Sequence, residues 1–384
     1  MSKNKSTIII MLKKMMLTIA AIVVTILIAY ILFTNYYPSF GGELSKDAIN
    51  RYQKSEQFFE GKFFNTNKSV PKKLSLKENI QLMYTYFTTK VPNGRPDKGL
   101  KVESITSPFW NLQSTEAQMV WFGHSSFLLQ IQDKTLLLDP MFGKVPAPHP
   151  WLGDSRFQEE LPLALENLPE IDVVLFSHDH YDHLDYETIL KIKDKTNRFV
   201  VPLGVGIHLQ AWGVASQKIT ELDWWQHTTE ENLKLICTPA QHFSGRKLNT
   251  SQTTLWSSWV IKSEKENIYF SGDSGYASHF KEIGNKYGPF DLALMECGQY
   301  NEMWADIHMM PEETAQAGVD VQAKKIMPIH WGSFKLALHD WKDPIIRVTA
   351  KAKELKLPVI TPQVGHIIKV KGAKPSSENW WENL

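Results

Sequence analysis

From residue 117 onward the chain alternates short apolar runs with polar turns that contain glycine or proline. The runs at 117–122, 127–131, 135–138, 171–176, 199–203, 233–238, 254–261, 268–271 and 292–295 have strand length and β-branched or aromatic content. Another run ends at His330, and 127–131 with 135–138 reads as a hairpin across Gln132-Asp133-Lys134. Residues 186–192, 278–287, 311–322 and 344–355 read as helices; Pro311 followed by Glu312 and Glu313 is a proline-and-acid helix start. Strands come in runs first and alternate with helices later, which predicts packed sheets with helices on their outer faces. Upstream the pattern changes twice. Met15 opens and Phe33 closes an uncharged run, 15–33. Crossing a bilayer takes ~20 apolar residues, so this run predicts a transmembrane helix. Residues 34–114 are polar with scattered aromatic pairs such as Phe58-Phe59 and Phe63-Phe64. Within them 76–89 reads as a helix with Ile80, Met83, Tyr84 and Phe87 on one face. This stretch is expected to be an arm that packs on a main domain at 115–384.

Charge orients the apolar run. Lys3, Lys5, Lys13 and Lys14 precede it with no acid among them, and 34–44 holds no Lys or Arg. The positive-inside rule then puts residues 1–14 in the cytoplasm and the main domain on the far side of the membrane. A cleaved signal peptide fits less well, because its apolar core spans only ~7–15 residues and no A-x-A site follows. A formal net charge of +1 over 384 residues offers no field for a polyanion, so no nucleic-acid partner is expected. Cys237 and Cys297 are too few for a disulfide framework and form no C-x-x-C knuckle; they read as two buried thiols. The oligomeric state stays open, a homodimer included.

The chemistry concentrates at 177–185, directly after the 171–176 strand. His178 and His180, at i and i+2, project to one face of extended backbone and can hold one cation together. Asp182 and His183 follow where the chain turns into a helix and can face a second. Neutral imidazole and carboxylate are ligands for Zn²⁺, Mn²⁺ or Fe. The alternative is a solvated loop that happens to be rich in His. Three further strand ends each supply one donor before a glycine-containing loop: His242, Asp273 and His330. Each signal is weak alone. Together they fit two cations sharing a water, with His178, His180 and His242 on one, Asp182, His183 and His330 on the other, and Asp273 as the bridge.

These residues, with Trp121-Phe-Gly-His124, Leu138-Asp-Pro140, Pro239-Ala-Gln-His242-Phe, Gly272-Asp-Ser-Gly-Tyr276, Asp306-Ile-His308 and Ile329-His-Trp-Gly332, resemble the metallo-β-lactamase superfamily of dinuclear hydrolases. The H-x-H-x-D-H signature carries most of the resemblance, which covers roughly residues 120–370. Within the superfamily the chain resembles the N-acylphosphatidylethanolamine-hydrolysing phospholipase D branch and its bacterial relatives. The resemblance implies an α/β fold, a four-layer αββα sandwich, here with an added N-terminal transmembrane helix, and two Zn²⁺ ions, with Mn or Fe as alternatives. It implies a phospholipase D-type cleavage of a membrane lipid, in which a metal-bridged hydroxide attacks phosphorus and Asp182, Asp273 and His308 serve the reaction. The bilayer is then a partner through residues 15–33. Asp139 and Asp185 are expected to orient ligand imidazoles, with a turn or N-cap role as the alternative for each, and His124 is expected beside the metals. His149, His208, His227, His279, His339 and His366 read as structural or exposed. A lactonase or other phosphodiesterase on the same scaffold, and a tethered binding protein with a decayed site, are the competing functions; the complete ligand set argues against decay.

Overall fold

The uncharged run lies within one continuous helix, Ser2–Tyr36. Its segment Thr7–Tyr36 is long and apolar enough to cross a bilayer, and none of its most apolar window is buried. A helix apolar all round is suited to lipid or to a core, not to water. The computed structural model describes residues 2–66, 75–105, 116–376 and 379–384. It divides into two compact units, Met1–Phe40 and Gly41–Leu384.

The second unit is built on two mixed sheets. One runs in the order Ile367–Lys369, Gln118–Trp121, Phe127–Ile131, Lys134–Leu138, Ile171–Leu175, Thr196–Pro202, Ile219–Leu222. The other runs Ile326–Ile329, Leu292–Glu296, Asn267–Phe270, Ser258–Lys262, Leu233–Thr238, His227–Glu230. In each sheet the hairpin-linked strands pair antiparallel and the helix-linked strands pair parallel.

Side-chain alternation assigns the layers. Met119, Trp121, Phe127, Leu129, Leu136 and Leu138 join a core with residues of the second sheet such as Leu235, Cys237, Trp259 and Ile261. Their neighbours Val120, Leu128, Leu137 and Val174 point the other way and pack with Ile189, Ile192 and Leu209 from the helices Tyr186–Ile192 and Gly206–Ala211. Helices His279–Tyr287, Pro311–Asp320 and Asp343–Glu354 contribute Phe280, Ile283, Ala315, Ile345 and Val348 to the core around the second sheet. The result is the expected αββα order. Both cysteines are buried and free.

One strand bound needs adjustment. The strand predicted at 254–261 begins only at Ser258. Upstream of it the Leu255 and Ser257 amides donate to the carbonyls of Leu203 and Ser177, so this backbone ties two loops together instead of extending a ladder. Within the described residues of the expected arm, Tyr52, Phe58, Phe63 and Leu100 are buried in the core shared with the two sheets. The helix Leu76–Thr88 forms behind a Ser75–Glu78 capping box, but its apolar stripe does not pack inward, since Ile80, Met83 and Tyr84 are 59%, 60% and 64% exposed. The Phe87 side chain, which completes that stripe in the sequence, lies outside the described residues.

Candidate metal centre

Every residue of the predicted cluster sits where a strand gives way to a loop, at one edge of the two sheets. His178 to His183 follow Ile171–Leu175, His242 follows Leu233–Thr238, Asp273 follows Asn267–Phe270, and His330 follows Ile326–Ile329. One of these residues and two of its neighbours illustrate the local strain: His330, His124 and Asp139 all have positive φ (+66°, +52° and +37°). Non-glycine residues tolerate that region poorly, and it persists where the surroundings enforce it. Here the His330 amide donates to the His124 carbonyl at 3.1 Å, and the Trp121 indole donates to the same carbonyl at 2.9 Å. Behind His330, Trp331 packs on Trp121, Trp341, Trp380 and Trp381, with ring centroids 5.6–6.3 Å apart.

The donor atoms of His178, His180, His242 and Asp273 lie within 4.8 Å of one another, and so do those of Asp182, His183, His330 and His124. Asp273 stands between the groups. Its Oδ2 is 3.1 Å from His183 Nε2, 3.7 Å from His178 Nε2 and 3.8 Å from His242 Nε2; its Oδ1 is 3.0 Å from His330 Nδ1. In the first group His180 Nδ1 is faced by His178 Nε2 at 2.9 Å and His242 Nε2 at 3.2 Å. Ligand nitrogens ~2.0–2.1 Å from a tetrahedral cation would lie about 3.3 Å apart. The observed edges are close to that length, and Asp273 Oδ1 is buried with no hydrogen bond. The donor set of imidazoles and carboxylates therefore fits divalent cations better than it fits itself.

Electrostatics agree. Burial and the neighbouring imidazoles hold His178, His242 and His330 well below the usual histidine range, and burial lowers His180 to about 4, so these rings are neutral. His183 differs. Burial would lower it, but the carboxylates of Asp273, Asp182 and Asp139 prevail and raise it well above the usual value. Burial lifts Asp273 to about 6 against the opposing pull of His183. Burial opposes ionisation of Asp182 as well, yet His183 and the His124 hydrogen bond hold it well below the carboxylate range. Without a cation, then, the second group keeps a proton on His183 that a metal must displace.

Asp139 sits where a ligand-orienting carboxylate belongs. Its Oδ2 accepts from His183 Nδ1 at 2.6 Å and Ser177 Oγ at 2.5 Å, and its Oδ1 accepts from the Ser177 amide at 2.7 Å. This fixes the His183 tautomer and turns Nε2 toward Asp273 and Asp182. Asp185 does not share that role. Its carboxylate accepts from the amide and hydroxyl of Thr188 at 2.9 and 2.6 Å, which makes it the N-cap of Tyr186–Ile192, and it bonds no imidazole. His124 is fully buried, is lowered to about 4 by burial, and places Nε2 2.9 Å from Asp182 Oδ2. It is closer to the cluster than a neighbouring position requires. Asp179, between the two histidines, projects to the opposite face and accepts from the Gly245 amide and the Thr254 hydroxyl. Arg246, buried, donates to the carbonyls of Asp179 at 2.5 Å and Leu184 at 2.8 Å and lies 4.0 Å from the Tyr181 ring, clamping the loop at both ends.

His308 joins the cluster, as the resemblance implied. Its donor atom lies within 4.8 Å of those of Asp273 and His330. Its partner was not foreseen. Glu296, fully buried at the end of its strand, contacts His308 Nδ1 and accepts from the Ser274 amide at 3.2 Å. Burial raises the Glu296 carboxyl well above its usual value. A glutamate that closes an apolar strand, Leu-Ala-Leu-Met-Glu, is the only sequence signal for it. Access is limited to part of the cluster: Asp182 and His308 side chains keep 14% and 13% exposure and His180 is half-buried, whereas those of His178, His183, His242, Asp273 and His330 keep 0–1%. A substrate therefore approaches past Asp182 and His308.

The sequence profile of the "Beta-lactamase superfamily domain" matches residues 134–331. An uncharacterized protein of Mycobacterium tuberculosis is 37% identical over 88% of this chain and 91% of its own length. The N-acyl-phosphatidylethanolamine-hydrolyzing phospholipase D 1 of Caenorhabditis elegans is 31% identical over 64% of this chain and 72% of its own. Among solved structures, a metallo hydrolase from Ignicoccus hospitalis superposes with a TM-score of 0.52 at 20% identity, over 66% of this chain and 98% of that one.

Proposed function

The chain belongs to the beta-lactamase superfamily and is a metal-dependent hydrolase of that fold, and on this premise we propose that it is a phospholipase D-type phosphodiesterase acting on N-acylphosphatidylethanolamine-like lipids. The observation that carries the reading is the paired ligand set joined by Asp273, buried except at His180, Asp182 and His308. His178, His180 and His242 would hold one cation, Asp182, His183 and His330 the other, and Asp273 both. Zinc suits five imidazoles and two carboxylates, and Mn or Fe accepts the same donors. Bound there, two cations would acidify a shared water and neutralise charge on a phosphoryl group. The chain's own residues do the rest. Asp139 keeps one His183 proton on Nδ1, so Nε2 is the nitrogen left to ligate once its own proton is displaced. Asp182 and His308 line the opening, and Glu296 holds the His308 ring where it can meet a phosphoryl oxygen or the leaving alcohol. The Trp-backed loop at His330 and the Arg246 clamp hold the two sides of the cluster in register.

The lipid assignment rests on the likeness to the nematode phospholipase and on the N-terminal helix, which we read as a membrane span with its lysines on the cytoplasmic side and the hydrolase beyond it. The test is a comparison of kcat/KM in zinc-containing detergent micelles for N-acylphosphatidylethanolamine, a lactone and a soluble phosphodiester. Preference for the lipid, with release of phosphatidic acid and an N-acylethanolamine, is expected. A much higher kcat/KM for the lactone or the soluble diester would refute the lipid reading and leave the hydrolase fold.

A further inference from the structure

The strand Leu233–Thr238 pairs with Ser258–Lys262 only as far as Thr238, so the backbone of His242 lies beyond the ladder that leads to it. His242 is fully buried, and a buried amide and carbonyl need partners. A side chain 177 residues upstream supplies both. Asn65 Nδ2 donates to the His242 carbonyl at 2.9 Å, and Asn65 Oδ1 accepts from the His242 amide at 3.1 Å. The same Oδ1 accepts from the Trp256 indole at 2.8 Å. The carboxamide thus stands in for the neighbouring strand that His242 lacks. An amide in this orientation is the group that fits, because two N–H donors converge on its oxygen and a carbonyl faces its nitrogen. A carboxylate would set oxygen against the His242 carbonyl, and an apolar side chain would leave both backbone groups of His242 unpaired.

The chain ahead of Asn65 is built to deliver it. Phe58–Phe59 and Lys62–Phe63 form a short antiparallel hairpin. Phe63 is fully buried and packs on Phe58 and Tyr52, with ring centroids 4.7 and 5.8 Å apart. The Phe63 amide donates to the Gln252 carbonyl at 2.8 Å, and the Tyr52 hydroxyl donates to Glu221 Oε2 at 2.6 Å. Asn65, two residues beyond this anchor, is itself buried.

The ring of His242 is held from its other end. Its Nδ1 donates to the Ile307 carbonyl at 2.9 Å, which leaves Nε2 3.2 Å from His180 Nδ1 and 3.8 Å from Asp273 Oδ2. A ligand ring is aimed only as well as its backbone is fixed. Arg246 fixes the backbone around His178 to His183, and the His124 carbonyl fixes that of His330. For His242 that part falls to Asn65.

We propose that Asn65 is a positioning residue of the metal centre, setting His242 on the cation it shares with His178 and His180; this rests on the two-cation reading above. The residues upstream of the two sheets then complete the centre instead of merely covering it.

Titration of the metal-free full chain with Co²⁺, followed by visible absorption and by competition with a chromophoric chelator, reads the two sites. Asn65→Asp keeps the side-chain volume and removes the donor to His242; Asn65→Ala removes both partners. Each should weaken one site by roughly 10–100-fold and leave the other within about twofold of the parent. Tyr52→Phe loosens the same segment without touching His242 and should leave both sites within about twofold. In His178→Ala, where the first site is already lost, adding Asn65→Asp should not weaken the remaining site; a further loss there overturns the assignment to that cation. Asn65 variants that bind both ions as the parent does overturn the proposal while the two-cation reading stands. An equal loss at both sites that Tyr52→Phe reproduces also overturns it, since that is a loosened fold and not a released ligand. A parent chain that takes up fewer than two Co²⁺ overturns the two-cation reading and the proposal together.

Discussion

Replacing Asp139 with Asn tests whether the cluster is held ready for metal by its supporting bonds. The carboxylate accepts three hydrogen bonds: one from the Ser177 amide on Oδ1, and one each from Ser177 Oγ and His183 Nδ1 on Oδ2. An amide has one oxygen. If that oxygen takes the Oδ2 position, the amide nitrogen faces the Ser177 N–H, and a buried donor is orphaned at about 1–3 kcal/mol. If it takes the Oδ1 position, the nitrogen faces His183 Nδ1, which must then become an acceptor. The His183 proton moves to Nε2, the atom aimed at Asp273 and Asp182, and the ring can no longer ligate. Either route also loses charge-assisted bonds, so Asp139→Asn should lower stability by about 2–3 kcal/mol. Loss of such an orienting partner weakens metal affinity or activity by roughly 10–100-fold. Urea denaturation of the metal-free chain and competition against a chromophoric chelator measure the two effects separately. A variant within about twofold of the parent in affinity would refute the orienting role, and unchanged stability would refute the bond accounting.

Arg246→Ala strips the donors from the Asp179 and Leu184 carbonyls and removes the cation over Tyr181; a loss of about 3–5 kcal/mol in urea is expected, and one below about 1 kcal/mol would show that the clamp is idle. Cation uptake must displace the proton held on His183 by Asp273, Asp182 and Asp139, so affinity should rise with pH through the neutral range, and calorimetry in buffers of different ionisation enthalpy should show proton release; no release would contradict the charge state assigned to His183. Glu296→Gln should reduce turnover chiefly in kcat with metal content retained, since it acts on His308 and not on the seven ligands; loss of metal would place it differently. An alkaline phosphatase fused to the C-terminus should be active and a cytoplasm-dependent fluorescent reporter dark; the reverse would invert the topology.

The ligand residues were legible because metal chemistry demands particular side chains at particular spacings. His178 and His180 share a face by strand periodicity, and the lone donors at 242, 273 and 330 each stand at the end of a recognisable apolar strand. The strand Ile171–Leu175 and the helix Tyr186–Ile192 were equally plain, since an apolar run and a capping Asp185 mark their bounds. The same Asp185 shows where reading stops: whether an aspartate after a motif caps a helix or orients a ligand depends on backbone direction, which spacing does not reveal. Asp139 and Asp185 look alike in sequence and differ in the structure. Glu296 and Arg246 were missed because each meets its partner across more than ten residues of chain, and a lone charged residue at a strand end or in a loop reads as solvated. The edge strands Ile219–Leu222 and His227–Glu230 escaped notice because half-buried edges mix polar with apolar residues. The stripe on Leu76–Thr88 was recognised as amphipathic, yet Ile80, Met83 and Tyr84 are exposed in the fold; amphipathicity reports that a face seeks an apolar surface, not which one.

Every role proposed above depends on a two-cation centre made by His178, His180, Asp182, His183, His242, Asp273 and His330. Elemental analysis of purified protein, with hydrolytic activity followed on the same sample during chelation and stepwise zinc return, tests it most directly. The account predicts two metal ions per chain, activity that disappears with them and returns only when both are restored, and loss of this behaviour in Asp273→Asn with the fold retained. Fully active protein that carries one metal ion or none would contradict it.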